Sequence, residues 1–171
     1  MKYILNMLQE LLIKYGAVKR GDFTLTSGQK SEFYVDIKDA CARPEILREI
    51  IGEIETHLKG DAVAGVELGA VPLVVALAYR RSMPYFIIRK GSDHGMKKLI
   101  VGNVEKGMAI DIIEDVVTTG GSVLRAVNIL RDAGLEVKRV ITVVDRENGG
   151  KELLKKNGLE LVSLIRLSEL M

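Results

Sequence analysis

An apolar run, Ala109-Ile110-Asp111-Ile112-Ile113, leads into two adjacent carboxylates, Glu114 and Asp115, and after Val116-Val117 comes the turn Thr118-Thr119-Gly120-Gly121-Ser122. That turn has the chemistry a phosphate monoester needs. Glycines let backbone N–H groups point inward, three hydroxyls add donors, and the helix that follows offers the positive end of its dipole. The carboxylates are excluded from the phosphate itself, because like charges repel. They suit the hydroxyl donors of a ribose attached to that phosphate, or water molecules around a metal. The chain contains neither a GxxxxGK[ST] loop nor a GxGxxG fingerprint, so the Walker and dinucleotide solutions to phosphate binding are set aside.

A strand must deliver this turn and a helix must follow it. Before it, Ile4, Leu5, Leu8, Leu11, Leu12 and Tyr15 fall at helical spacing, with Gly16 as a stop. Phe23-Thr24-Leu25 and Phe33-Tyr34-Val35-Asp36 read as short strands, joined by a connector in which Gly28 marks a hairpin or loop. Pro44 opens a helix to about residue 58, whose apolar face is Ile46, Leu47, Ile50, Ile51 and Ile54. Beyond it, strands are expected at 62–66, 85–88, 109–113, 137–144 and 159–165, and helices at 72–80, 122–133 and 150–156. Strands apolar on both faces that alternate with helices predict an α/β fold, a parallel central sheet flanked by helices. Ligands of such folds sit at the carboxyl ends of the strands.

The chain has 171 residues, 47% apolar and 28% charged, which fits one globular domain. Lys plus Arg total 25 and Asp plus Glu 23, so the net charge of +2 argues against a nucleic-acid binder. Cys41 is the single cysteine; no intramolecular disulfide or CxxC metal pair exists, and the thiol is expected to be buried or incidental. Apolar runs fall short of a bilayer span, and the N-terminal stripe lacks a small-residue cleavage site. A cytoplasmic protein with no membrane partner is expected.

The stretch 109–122 resembles the phosphoribosyl-diphosphate motif of the type I phosphoribosyltransferases: four apolar residues, two acidic, two apolar, then Thr-Thr/Ala/Gly-Gly. The resemblance implies that Glu114 and Asp115 hold the ribose 2′- and 3′-hydroxyls, while Val116, Val117, Thr118, Thr119, Gly120, Gly121 and Ser122 complete the 5′-phosphate and ribose site. Asp111, inside the strand, is given no role.

Three further stretches resemble orotate phosphoribosyltransferase in particular. They are Phe23-Thr24-Leu25-Thr26-Ser27-Gly28 running on to Tyr34, Arg89-Lys90 followed by Asp93-His94-Gly95, and Asp145-Arg146-Glu147-Asn148-Gly149-Gly150. Read by itself, Arg146 is either a planar cation that stacks on a ring or forks a carboxylate, or part of a solvated turn. Tyr34 is either a core residue or a ligand contact. The resemblance implies orotate contacts from Thr26, Ser27, Tyr34, Thr118 and Arg146, and diphosphate contacts from Arg89, Lys90, His94, Gly69 and Ala70. It implies Asp115, Glu114 and Lys90 as the catalytic set, with Mg²⁺ held mainly through substrate and water rather than by a protein metal site. It further implies a single domain over 1–171, with a small helix/strand hood at 1–40 and a core at 41–171. The expected assembly is a homodimer that shares a mobile basic flap across its interface. The expected reaction is transfer of a phosphoribosyl group from phosphoribosyl diphosphate to orotate.

Two departures stand out. The family's usual Lys is replaced by Thr26, and the basic stretch from Arg89 to Gly95 is one residue shorter and lacks a second Lys, a loss that Lys97 or Lys98 is expected to offset. Glu67, beside the expected diphosphate loop, would repel that ligand unless a metal or a basic group intervened. Two other readings stay open: a different acceptor base, or a non-catalytic nucleotide-sensing regulator. The single helix before Phe23 is too little for a helix-turn-helix module.

Overall fold

The computed structural model describes residues 6–24, 28, 30–91, 99–103 and 105–170. The expected start of the first helix at Ile4 and Leu5, the roles of Thr26 and Ser27, and those of His94, Lys97 and Lys98 lie outside the described residues.

Helix α1 (Met7–Lys14) begins at a capping box in which the Asn6 side chain accepts from Gln9 N at 2.8 Å and Gln9 returns the bond to Asn6 N at 2.9 Å. Strands β1 (Val18–Thr24) and β2 (Lys30–Val35) pair antiparallel as a separate two-stranded sheet. A short helix, α2 (Ile37–Ala40), and a long one, α3 (Pro44–His57), lead into β3 (Ala62–Val66) and α4 (Val71–Arg81). The order continues with β4 (Tyr85–Ile88), β5 (Ile100–Val101), β6 (Ala109–Val117), α5 (Gly121–Asp132), β7 (Glu136–Asp145), α6 (Gly150–Lys156) and β8 (Glu160–Arg166).

The main sheet has the order β5-β4-β3-β6-β7-β8. All its pairings are parallel except β5 on β4, so the sheet is mixed where the sequence predicts a parallel one. The reason is local: β5 is a two-residue return that meets the β4 edge antiparallel, Ile88 opposite Ile100. β6 runs four residues beyond its expected end because β7 keeps pairing with it to Val117 opposite Asp145. Glu114 and Asp115 therefore sit within a strand and not in a free loop.

Helices α1, α3 and α4 cover one face of the sheet, with Leu8, Leu12, Ile46, Ile50, Ile54, Leu73 and Leu77 fully buried. Helices α5 and α6 cover the other, through Val123, Val127, Leu130 and Leu154. Gly65 on β3 lets α4 approach: a Cβ there would stand 2.6 Å from Ala70 Cβ and 2.7 Å from Val74 Cγ2. Successive crossovers step one way from β3 to β4 and the other way from β6 to β7 and β8. The switch falls between β3 and β6, where an open α/β sheet parts its loops into a crevice.

Asp111 has a structural task. Its Oδ2 accepts from the backbone N–H groups of Lys59 at 2.6 Å and Gly60 at 2.8 Å, and Oδ1 lies 3.6 Å from Arg139 Nη1. Both side chains of this pair are largely buried. The carboxylate ties the α3–β3 turn to β6, and Gly60 is close enough that a Cβ would stand 2.8 Å from Ala109 O. Asp111→Ala should cost about 3 kcal/mol of stability, because it strands two N–H donors and takes one of two anionic partners from the largely buried Arg139, which keeps Glu160. Urea unfolding should show a lower midpoint with an unchanged slope; an unchanged midpoint would refute the tie.

Candidate active site

A cleft of about 840 Å³ opens at the carboxyl ends of the strands on both sides of the β3/β6 switch. Its floor is the exit of β6. Gly120 takes φ +79° and turns the chain into α5, which no side chain caps, so the first-turn N–H groups remain available to an anion. Thr118, Thr119, Gly120 and Ser122 line the cleft; Gly121 is exposed just outside it. The loop that opens α6 backs this cup. A Cβ on Gly150 would lie 2.7 Å from Thr118 O and 2.7 Å from Val117 Cγ1, and one on Gly120 would lie 3.2 Å from Gly150 O. Arg146 N bonds Val117 O at 2.9 Å, which brings Arg146 into the same cleft.

The two carboxylates stand in unequal environments. Asp115 is half-buried, and its Oδ1 accepts from Val116 N at 2.9 Å. Facing it is Gly69, where any Cβ would overlap the Asp115 carboxylate, so the missing side chain creates room for that group. Glu114 is only 6% exposed, and its Oε1 has no hydrogen-bond partner. Burial first, then the neighbouring Asp115 charge and a hydrogen bond to Asp115, raise its pKa well above the ordinary carboxylate range, against smaller opposing effects of Lys90 and the Val66 backbone. Burial thus disfavours charge on Glu114, while Asp115 lines the cleft.

Cations surround this pair. Arg89 and Lys90, just beyond β4, both line the cleft. Glu67 also lines the cleft, and its Oε1 accepts the Lys90 backbone N–H at 2.7 Å. Gly69 lines the cleft, whereas Ala70 is fully buried beneath α4 and exposes no side chain to it. Arg146 is partly buried and donates from Nη2 to Phe33 O at 2.8 Å, which joins β2 to the end of β7. Desolvation lowers its pKa and Tyr34 works the other way. Tyr34 lines the cleft with its ring 5.4 Å from that of Phe23.

Lys38 and Arg125 are lining cations that sequence reasoning passed over. Lys38 stands on the four-residue helix α2, 4.0 Å from Asp36. Burial depresses its pKa, but Tyr34, Asp115 and Asp36 together outweigh that and raise it. Arg125 lies one turn into α5 and donates from Nη1 to Lys90 O at 3.1 Å. A basic residue one turn after the Gly-Gly-Ser start of a helix was the available signal. Cys41 is buried, and burial followed by the nearby Asp115 charge pushes its thiol up to about 12, which makes it inert.

Residues 35–165 match the phosphoribosyl transferase domain. The orotate phosphoribosyltransferase of Thermoplasma acidophilum is 55% identical over 162 residues, covering 95% of each chain. The chain belongs to the orotate phosphoribosyltransferase family. The crystal structure of orotate phosphoribosyltransferase from Aeropyrum pernix superposes with a TM-score of 0.82 at 32% identity, covering 96% of both chains. That of the Mycobacterium tuberculosis enzyme in complex with 5-phospho-alpha-D-ribosyl 1-diphosphate superposes at 0.75 with 32% identity, covering 95% of this chain and 98% of that one. The family places the expected α/β architecture on firm ground, and the cleft at the switch point is where its phosphoribosyl motif lies.

Burial of Glu114 has a consequence for stability. Its folded pKa is raised, so between the ordinary carboxyl value and the raised one the folded chain holds one more proton than the unfolded chain. The stability Glu114 contributes is full below the unfolded value and is lost as pH rises toward the folded one. Glu114→Gln should remove this loss, so its melting temperature should gain on the wild type as pH rises from the ordinary carboxyl range toward the raised value. A gap that stays constant across that range would contradict a buried, protonated Glu114.

Proposed function

We infer that the protein transfers the 5-phosphoribosyl group of 5-phosphoribosyl 1-diphosphate to N1 of orotate, giving orotidine 5′-monophosphate and diphosphate in pyrimidine nucleotide synthesis. The observation that carries this reading is the uncapped amide cup at the start of α5, set beside the Glu114–Asp115 pair in a cleft that also holds Arg146. The cup takes the 5′-phosphate through amide donors and hydroxyls. Asp115 accepts from the ribose hydroxyls, with Glu114 behind it. Gly69 and the loop that opens α4 take the diphosphate, together with Arg89 and Lys90. Orotate, a flat ring carrying a carboxylate, lies toward Tyr34 with Arg146 and Lys38 as cationic partners.

The chemistry needs no covalent nucleophile. The C1–O bond breaks ahead of attack, so positive charge develops on the ribose while negative charge grows on the departing diphosphate. The protein holds the two substrates in line, sets Asp115 near the ribose and presents Lys90 to the leaving group. A cation in this cleft would be held mainly through substrate oxygens and water. Asp115, a half-buried carboxylate on the cleft wall, would reach such a hydrated ion through water. When bound, Mg²⁺ neutralises charge on the diphosphate.

A homodimer and a cytoplasmic setting belong to the same reading. Leu68 in the turn before α4, and Val75 and Tyr79 on that helix, are apolar residues exposed at 73%, 41% and 89%, which supports a second copy covering them. Sedimentation that shows only monomer at assay concentration would remove the dimer. The free buried thiol of Cys41 agrees with a reducing compartment. Recovery in the membrane fraction of source cells would contradict that setting.

The reading is tested by the fall in orotate absorbance when phosphoribosyl diphosphate and Mg²⁺ are added; no change would end it. Asp115→Asn should lower kcat/KM for the donor by at least ~10-fold, about 1.4 kcal/mol of transition-state binding. An unchanged value would refute the ribose role. Arg146→Ala and Lys38→Ala should each raise the orotate KM by about 5- to 20-fold with the donor KM nearly constant. Equal shifts in both KM values would place these cations elsewhere.

A further inference from the structure

Lys90 is exposed, and among the described residues no hydrogen bond or ion pair holds its ammonium. A lysine on a four-carbon stem takes its aim from the backbone beneath it. That backbone is held at both polar groups. Its N–H donates to Glu67 Oε1 at 2.7 Å, and its carbonyl accepts from Arg125 Nη1 at 3.1 Å. The two partners come from different elements of the cleft, a loop and a helix. Glu67 directly follows β3, on the path to Gly69. Arg125 lies one turn beyond the Gly120 cup. The neighbouring residue adds a third tie, Arg89 N to Leu99 O at 2.9 Å.

A carboxylate at position 67 is otherwise hard to explain, because it lines the same cleft as Asp115 and faces a polyanionic ligand. A charge-assisted bond to a main-chain donor accounts for it: such bonds are short and about twice as strong as neutral ones. The 2.7 Å separation fits that class. Glu67 thereby spends its charge on the backbone of a cation.

We propose that Glu67 and Arg125 are positioning residues that clamp the Lys90 main chain from two sides and so aim its ammonium at the donor's leaving group. The proposal rests on the reaction assigned above, and it makes the three segments that meet the donor one mechanical unit. Neither Glu67 nor Arg125 needs to touch substrate for the clamp to act. Glu67→Gln keeps an oxygen acceptor for the Lys90 N–H, whereas Glu67→Ala removes it.

The test compares these variants in steady-state kinetics and in amide hydrogen exchange of ¹⁵N-labelled protein. Glu67→Ala should lower kcat by ~10-fold and weaken the donor KM while the orotate KM stays within ~2-fold, and Glu67→Gln should restore most of the loss. In a Lys90→Ala background, Glu67→Ala should cause little further loss, because its effect passes through Lys90. The Lys90 amide should exchange faster in Glu67→Ala than in Glu67→Gln, a readout that holds whatever the enzyme's substrate proves to be. Equal damage from Gln and Ala, fully multiplicative losses with Lys90→Ala, or an unchanged Lys90 amide would each overturn the clamp. Failure of the wild type to consume orotate, with the exchange difference intact, would overturn the assigned reaction and leave the clamp standing.

Discussion

The pairing of β3 with β6, from Ala62 opposite Ile110 to Gly65 opposite Ile113, decides where every loop of the cleft leaves the sheet. β3 ends at Val66 and passes into Glu67 to Gly69, while β6 runs on through the acid pair to Val117 before it opens into the cup. Their following helices pack on opposite faces, so the loops diverge and open a crevice. Gly65 admits α4 to close contact on one side, and Asp111 anchors the α3–β3 turn on the other strand. A shift of one residue between these strands would move the Gly69 gap away from Asp115 and fill the space that carboxylate occupies.

Within that frame the electrostatic difficulty is to place acids beside a polyanion. Three acids of the cleft meet it in three ways. Glu114 is buried with its pKa pushed up, Glu67 accepts from a main-chain donor, and Asp115 lines the cleft opposite Gly69. Around them Arg89, Lys90, Arg125, Lys38 and Arg146 line the walls. A net charge of only +2 for the whole chain hides this local concentration, since averaging over a surface says little about one crevice.

Much of this was legible beforehand, for reasons tied to particular residues. The Val- and Ile-rich strands 62–66 and 85–88 stand where apolar periodicity put them, because burial on both faces leaves a continuous apolar run. The cup was legible because its glycines and hydroxyls are adjacent in the chain. What escaped depends on distance. Helix α2 has four residues, too few to show a period, so Lys38 was not seen to enter the site. Arg125 reaches Lys90 across 35 positions, and Asp111 reaches Lys59 across 52. β5 is a two-residue edge whose direction follows from the return of the chain. The unequal burial of Glu114 and Asp115 could not be read from two neighbouring acids, because it arises from what packs over each.

The contact between Gly120 and Gly150 sets a limit on redesign. The main chain that grips the sugar phosphate and the main chain that carries Arg146 lie back to back with no room for a methyl group between them. Lengthening the 146–149 loop would have to lift that floor, and the grip would loosen with it. Anyone wishing to admit a bulkier or uncharged base is therefore confined to exchanging side chains on the rim, at Tyr34, Lys38 and Arg146, with the ribbon beneath left as it is.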